Sequence, residues 1–136
     1  MIVVDASVLI EAFADDGRDG RRARSRLGQE SHFFAPELID LEFLSVLRRQ
    51  VRLGRLPLWR AEFALEYLYD FPLARHTHRD VVHRVWELRD ALSPYDASYV
   101  AVAEILDCPV LTVDARLAKG AAHGGSPVAV EVLSVQ

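Results

Sequence analysis

Four acidic residues of this chain stand where apolar segments begin or end. They are Asp5 after Met1-Ile-Val-Val, Glu42 in Leu38-Ile-Asp-Leu-Glu-Phe, Asp96 in Ser93-Pro-Tyr-Asp-Ala, and Asp114 after Val110-Leu-Thr-Val. Carboxylates gathered in one place repel each other unless protons or cations compensate their charge, and a site with only oxygen ligands suits Mg²⁺ or Mn²⁺. The pattern therefore predicts a metal site, and the chemistry it first suggests is metal-assisted hydrolysis of a phosphodiester.

Strand and helix patterns alternate along the chain, which predicts a parallel sheet covered by helices on both faces. Strands are expected at residues 2–4, 33–35, 73–76, 110–113 and 128–133, and helices at residues 7–14, 21–28, 36–53, 58–70, 79–91, 94–106 and 115–122. The helices at 36–53 and 58–70 should form a helical hairpin, with Pro36 in the first turn, where no amide hydrogen is needed. Because parallel strands all end on one edge, Asp5 and Asp114 should both lie there.

Each acid also has a purely structural explanation. Asp5 and Asp114 can be N-caps of the helices that follow them. Asp96 can occupy the third position of a helix capped by Ser93, in a capping box. Glu42 is the hardest to explain in this way, because it lies on the core-facing shoulder of its helix. An unpaired carboxylate is costly there, so a cation, a proton or an arginine must accompany it.

Two hydroxyl groups lie close to these acids in sequence. Ser7 is two residues after Asp5 and Thr112 two residues before Asp114, so both can orient a carboxylate or hold a water at a metal ion. Either hydroxyl could equally serve as a local cap. Asp40, in contrast, should point away from the core and be solvated.

Composition narrows the possible classes of protein. The 136 residues fit one domain, and 51% hydrophobic with 26% charged residues is typical of a globular protein. Cys108 is the only cysteine, so neither an intrachain disulfide nor a thiolate zinc site is expected. The apolar start is interrupted by Asp5 and Glu11, which argues against a signal peptide or a membrane span and predicts a cytoplasmic protein.

Four segments together resemble the PIN-domain ribonucleases, and more narrowly the VapC toxins of VapBC toxin–antitoxin modules. They are Asp5-Ala-Ser, Pro36-Glu-Leu-Ile-Asp-Leu-Glu, Ser93-Pro-Tyr-Asp-Ala-Ser-Tyr-Val-Ala-Val-Ala-Glu and Leu111-Thr-Val-Asp-Ala-Arg-Leu-Ala. The similarity covers essentially the whole chain, in order. It implies a single PIN domain over residues 1–136, a three-layer α/β/α fold with four or five parallel strands and a helical hairpin after the second strand. The family's acidic quartet would be Asp5, Glu42, Asp96 and Asp114.

The resemblance also implies an activity. Such a protein would be the toxin of a toxin–antitoxin pair, a ribonuclease that uses one or two Mg²⁺ or Mn²⁺ ions and an activated water. Asp5 and Asp96 are the first candidates for direct metal ligands, with Glu42 and Asp114 completing the site. It would form a homodimer and be held inactive by an antitoxin covering its active groove. The alternative is a non-catalytic PIN-fold module that only binds RNA or protein.

The cationic residues are fifteen arginines and one lysine, and arginine suits bidentate contact with phosphate. Arg116 and Lys119, just beyond Asp114, are candidates for RNA contact, as are Arg48, Arg52 and the other arginines up to Arg60, with Trp59 to stack a base. The alternative for this helical hairpin is a solvated face with Trp59 in the core. The segments at residues 15–28, which include a short basic helix, and 53–60 are candidates for setting RNA specificity.

Overall fold

The computed structural model describes residues 1–135 and contains a five-stranded parallel sheet with the order β3-β2-β1-β4-β5. The strands are β1 (Ile2–Val4), β2 (Phe33–Pro36), β3 (Leu73–His76), β4 (Val110–Thr112) and β5 (Val130–Val132). Every neighbouring pair is parallel. The predicted α/β/α class and the parallel sheet are confirmed.

Seven α-helices in the described residues connect these strands. They are α1 (Ala6–Ala14), α2 (Arg18–Leu27), α3 (Ile39–Arg52), α4 (Leu58–Asp70), α5 (Val82–Glu87), α6 (Pro94–Leu106) and α7 (Ala115–His123). A 3₁₀ turn at His78–Val81 precedes α5. Helices α3 and α4 form the predicted helical hairpin after β2. No helix of the described residues is both long and apolar enough to cross a membrane.

The position predicted for Pro36 is wrong, because this residue ends β2 instead of opening α3. It pairs in register with His76 of β3, whose carbonyl accepts a hydrogen bond from Glu37. On the other side of β2, β1 ends at Val4, one residue beyond the pairing of Val3 with Phe34. Pro36, which has no amide hydrogen, therefore lies beyond the part of β2 that pairs with β1.

The helix predicted at residues 79–91 is also wrong in its extent. The segment divides into the 3₁₀ turn, capped by the side chain of Thr77, and the short helix α5. Three β-branched residues, Val81, Val82 and Val85, lower its helical propensity. Strand β5 covers only half of the predicted 128–133, as is common for a strand at the edge of a sheet.

Helix α6 is deeply buried next to the sheet. Its residues Ala97 to Ala103 are all buried, and it packs on β1 and β2. Because α6 leads into a parallel strand, it runs antiparallel to the sheet, and its first turn lies at the edge where the strands end. Helices α1, α3 and α7 each leave that same edge. All four acids are therefore brought to one edge of the sheet by the connectivity alone.

Candidate active site

Asp5 is the most buried acid of the four, with 8% of its surface exposed. It holds the N-cap position of α1, but its side chain makes no cap hydrogen bond. Instead its Oδ2 accepts hydrogen bonds from Ser7 Oγ and Thr112 Oγ1, both at 2.7 Å. Burial raises the pKa of the Asp5 carboxyl, and these two hydrogen bonds oppose the rise only in part.

The two hydroxyls have no freedom to point elsewhere. Thr112 Oγ1 accepts from the amide of Asp114 at 3.0 Å, and Ser7 Oγ accepts from the amide of Val113 at 3.2 Å. Each hydroxyl carries a single hydrogen, which is left for Asp5. The backbone between β4 and α7 therefore fixes the two hydroxyls that bind the Asp5 carboxylate.

Glu42 lies in the first turn of α3 and is partly buried. Its Oε1 accepts a hydrogen bond of 2.6 Å from the hydroxyl of Tyr99, a fully buried residue of α6. Burial raises the pKa of Glu42, and the negative charges of Asp5 and Asp96 raise it further. The arginine considered as a partner for this carboxylate is not found among the described residues.

Asp96 is in the first turn of α6, where Ser93 Oγ accepts from its amide at 3.2 Å, so the predicted cap is present. Its carboxyl group is free of ion pairs within residues 1–135. Burial raises the pKa of Asp96, followed by the charges of Asp5 and Asp114, while Arg116 acts in the opposite direction. Asp5, Glu42 and Asp96 therefore form one electrostatically coupled group.

Asp114 differs from the other three acids. It is a true N-cap, since its Oδ1 accepts from the amide of Arg116 at 2.9 Å. The guanidinium of Arg116 also donates to both of its oxygens, each at 3.1 Å. These contacts hold the pKa of Asp114 below its usual range. Asp114 is thus compensated by a side chain of this chain, whereas the other three acids are not.

The donor set is compatible with a divalent cation, because oxygen-only carboxylate sites suit Mg²⁺ and Mn²⁺. The carboxylates are nevertheless held apart by different partners: Asp5 by two hydroxyls, Glu42 by Tyr99 and Asp114 by Arg116. Within the described residues, no three His, Cys, Asp or Glu side chains are grouped closely enough to hold an ion together.

Comparison with known proteins identifies this architecture. The PIN domain family matches residues 2–122. This chain belongs to the PIN-domain family. Within it, the chain is a VapC-type protein: it is 40% identical over 117 residues to ribonuclease VapC9 of Mycobacterium tuberculosis, covering 86% of this chain and 88% of that protein. The VapC ribonuclease Mb0985 of Mycobacterium bovis gives the same values, and ribonuclease VapC3 of M. tuberculosis is 36% identical over 118 residues, covering 87% and 85%.

A solved structure has the same fold as this PIN domain. A chain of a toxin–antitoxin complex from Klebsiella pneumoniae superposes with a TM-score of 0.65 at 20% identity, covering all of both chains. At this identity the likeness establishes the fold alone. The resemblance read from the four sequence motifs is thus confirmed at the level of the family and its VapC group.

The basic residues of the PIN domain are less concentrated than the acids. Arg116 is beside the acids but paired with Asp114, while Lys119 is exposed one turn further along α7. Arg48 and Arg52 are exposed on the second half of α3. These four residues stay predictions as RNA contacts.

Three details of the helical hairpin correct the sequence interpretation. Trp59 is 63% exposed and not in the core. Arg60 is buried and holds Asp16 in a bidentate contact of 2.8 and 3.0 Å, so it is not a free phosphate ligand. Asp40 is paired with Arg75 at 2.6 and 2.7 Å instead of being only solvated. Each of these arginines reaches an acid far away in sequence, which local patterns do not reveal.

Tyr99 is the site residue that sequence reasoning missed. Its position three residues after Asp96 places it on the same face of α6, beside the acid. This spacing was the available signal, but an aromatic residue at helical spacing is usually part of the core. Tyr99 does belong to the core, and only its hydroxyl reaches the acids.

Proposed function

We propose that this chain is a metal-dependent ribonuclease and the toxin of a toxin–antitoxin pair. The observation that supports this best is the coupled group of Asp5, Glu42 and Asp96, whose pKa values are all raised and which have no ion-pair partner among the described residues. Placing three such carboxylates together destabilises the fold, and a bound cation would offset that cost. The relatives of this chain in the VapC group are named as ribonucleases.

The proposed cation is one or two Mg²⁺ or Mn²⁺ ions, with Asp5 and Asp96 as the first ligands and Glu42 and Asp114 completing the site. When bound, it would supply positive charge that lowers the pKa of a water and stabilises the scissile phosphate. Ser7 and Thr112 keep the Asp5 carboxylate in one orientation through this process. Tyr99 does the same for one oxygen of Glu42.

Proton transfer is assigned to Glu42. Only one of its two carboxylate oxygens has a hydrogen-bond partner within residues 1–135, so the other is available to accept a proton from water. Asp114 is less suited to this role, since Arg116 occupies both of its oxygens and lowers its pKa. Water, and not the 2′-hydroxyl of the RNA, attacks the phosphorus as the bond to the 3′-oxygen breaks, and this leaving oxygen takes a proton from solvent. The products should therefore carry 5′-phosphate and 3′-hydroxyl ends.

The biological setting proposed for the chain follows from its family. We infer that residues 1–136 act as one PIN domain, although Gln136 lies outside the described residues. The partners would be an RNA substrate, a cognate VapB-type antitoxin and a second copy of the chain, all in the cytoplasm. The structural relative from K. pneumoniae comes from a toxin–antitoxin complex, which supports the antitoxin part of the proposal.

The proposal is tested by cleavage of end-labelled structured RNAs with purified, antitoxin-free protein in Mg²⁺, Mn²⁺ or EDTA. Cleavage should require the metal, disappear in Asp96→Asn and persist in Asp70→Asn, a control that removes an exposed carboxylate at the end of α4. Products ending in 2′,3′-cyclic phosphate would contradict the mechanism. No cleavage of a broad RNA panel, together with no Mn²⁺ binding by calorimetry, would favour the non-catalytic RNA- or protein-binding module instead.

A further inference from the structure

Helix α2 is the most arginine-rich element of the chain, with five arginines against one acid, Asp19, among its ten residues. Two of these arginines attach the helix to the rest of the fold. Arg24 donates to the carbonyls of Ala12 and Asp15 at 2.8 and 2.9 Å. Arg26 pairs with Glu131 of β5 and with Glu30. Their charges are therefore used within the molecule.

The other three arginines, Arg18, Arg21 and Arg22, are exposed. Arg21 donates to the main-chain carbonyl of Asp16 at 3.4 Å and Arg22 to that of Ser134 at 3.0 Å, and a carbonyl carries no net charge that could compensate theirs. The neighbouring carboxylate of Asp16 does not neutralise them, because it is held by Arg60.

These arginines line a shallow groove of about 510 Å³, together with Ser25, Arg26, Gln29 and Leu133. The lining is basic and polar, and its one apolar member, Leu133, is almost completely buried. A protein partner would be expected to insert aromatic or aliphatic anchors, for which this groove offers no pocket. Exposed guanidinium groups instead suit phosphate, to which each can donate two hydrogen bonds at once.

The groove lies at the same edge of the sheet as the acids. Arg22 contacts the carbonyl of Ser134, just beyond the end of β5. The preceding residue, Leu133, donates its amide to the carbonyl of Thr112 at 2.7 Å, and Thr112 in turn binds Asp5. Adjacent strands are separated by about 4.8 Å, so the end of β5 is close to the acidic site.

We propose that Arg18, Arg21 and Arg22 bind the phosphates of an RNA strand that continues from the acidic site along the end of β5. This inference rests on the proposed function. The groove has no aromatic ring on which a base could stack, so the contact reads the RNA backbone and not its sequence. Long substrates gain affinity from it, whereas an RNA that only fills the acidic site does not.

The test measures RNA binding by fluorescence anisotropy with end-labelled uridine 20-mers and 4-mers, in EDTA, on proteins that carry Asp96→Asn to prevent cleavage. A variant with Arg18→Gln, Arg21→Gln and Arg22→Gln is compared with a control variant, Arg79→Gln and Arg89→Gln. The control removes two exposed arginines from a part of the surface that no proposal of RNA contact includes. Thermal melts verify that both variants are folded.

For the 20-mer, each lost phosphate contact lowers the slope of log affinity against log salt by about 0.7, so the α2 variant should lose about 2 units of slope. When salt is lowered from 1 M to 0.1 M, the affinity of the α2 variant should therefore increase by roughly a hundredfold less than that of the protein with these arginines intact. The control and the 4-mer should change little. An unchanged 20-mer slope, or an equal loss in the control, would overturn the inference. Metal-dependent cleavage of the 4-mer, measured with Asp96 intact, tests the proposed function separately.

Discussion

At the scale of single residues, the acidic site is organised by hydrogen bonds that reach it from buried elements. Tyr99 is completely buried, yet its hydroxyl lies 2.6 Å from Glu42 Oε1 and feels the charges of both Glu42 and Asp5. These charges and burial raise the pKa of Tyr99, so the phenol stays protonated and remains a donor. The ring of Tyr99 packs in the core, while its hydroxyl donates a hydrogen bond to Glu42 of the acidic site.

This division of roles leads to a prediction for Tyr99→Phe. The ring should keep its packing, but the Glu42 carboxylate loses its only hydrogen bond among the described residues, which costs about 1–2 kcal/mol of stability. Without that bond the carboxylate is less well oriented, so the affinity for Mn²⁺ by calorimetry should fall about tenfold, as for other residues that orient a ligand. Cleavage should recover in part at higher Mn²⁺ concentration.

The matched control is Tyr95→Phe, which removes the same hydroxyl from a tyrosine that is 63% exposed on the first turn of the same helix. It should leave Mn²⁺ affinity unchanged. If Tyr99→Phe loses stability but binds Mn²⁺ as tightly as the unaltered protein, Tyr99 is only a core residue and does not position Glu42.

A second prediction at this scale concerns Asp96→Asn without metal. The variant removes a charge that is disfavoured by partial burial and by Asp5 and Asp114. We expect the melting temperature in EDTA to rise by about 2–4 °C, a modest gain because solvent screens a half-exposed charge. Differential scanning fluorimetry with and without Mn²⁺ measures it. In Mn²⁺ the unaltered protein should instead have the higher melting temperature of the two. If Asp96→Asn is less stable than the unaltered protein in EDTA, the proposed repulsion is refuted.

At the scale of elements, the sequence predicted the order of strands and helices and the edge where the acids meet. Helices 58–70 and 94–106 and strand 73–76 have the predicted bounds, since each has clear limits such as Ser93-Pro94 or Pro72. The two errors have different causes. Pro36 is in a strand because it pairs with His76 of β3, a contact that the sequence pattern does not contain, and α5 is short because three valines lower the helical propensity of its segment.

The same limit applies to the candidate site. The alternating pattern places Asp5 and Asp114 at one edge of a parallel sheet. Which acid is compensated does not follow, since Asp114 has an arginine two residues away, while Glu42 is bound by a tyrosine 57 positions away. Local spacing in the sequence can therefore predict the contact of Arg116 with Asp114, but not that of Tyr99 with Glu42.

Gly20 provides a prediction for the placement of α2. A Cβ atom added there would lie 1.8 Å from the carbonyl oxygen of Asp15, a main-chain atom that cannot move without shifting the connection from α1. Gly20→Ala should therefore cost about 3 kcal/mol of stability in urea denaturation, in spite of the better helical propensity of alanine. It should also displace the arginines of the proposed RNA groove.

Gly28→Ala is the control for this substitution, because Gly28 follows the same helix with a φ of −63° and its added Cβ would make only ordinary contacts, at 3.4 Å or more. Its stability should stay within about 1 kcal/mol of the unaltered protein. Equal losses in both variants would show that α2 tolerates no alanine in general, and that the contact with Asp15 is not the cause.

At the scale of the whole molecule, the net charge is −4, and folding shifts the pKa values of two sets of carboxylates in opposite directions. Asp5, Glu42 and Asp96 have raised pKa values and oppose folding when charged. Glu104 and Asp114 have lowered pKa values; hydrogen bonds from Arg84 and Ser126 outweigh the effect of burial on Glu104, and Arg116 lowers the pKa of Asp114. The first set belongs to the proposed catalytic site, whereas Glu104 holds α5 and the segment before β5 against α6.

These two sets predict how stability depends on pH in EDTA. A carboxyl whose pKa is raised by folding binds more protons in the folded state, so its penalty is relieved as pH falls through the raised pKa. A carboxyl with a lowered pKa loses its stabilising contribution only at more acidic pH, as it becomes protonated in the folded state. The melting temperature should therefore rise from about pH 7.5 to about pH 5 and fall below about pH 4.

With Mn²⁺ present the dependence above pH 5 should reverse, because protons and the cation compete for the same carboxylates. Melting temperatures measured across this range, with and without Mn²⁺, check both curves. Asp96→Asn should weaken the rise in EDTA, whereas Glu104→Gln should lower stability mainly at neutral pH, where its ion pair with Arg84 is intact. A melting temperature that falls steadily from pH 7.5 to 5 in EDTA would mean that the three acids do not repel one another in the folded protein, and the main support for a metal site would be lost.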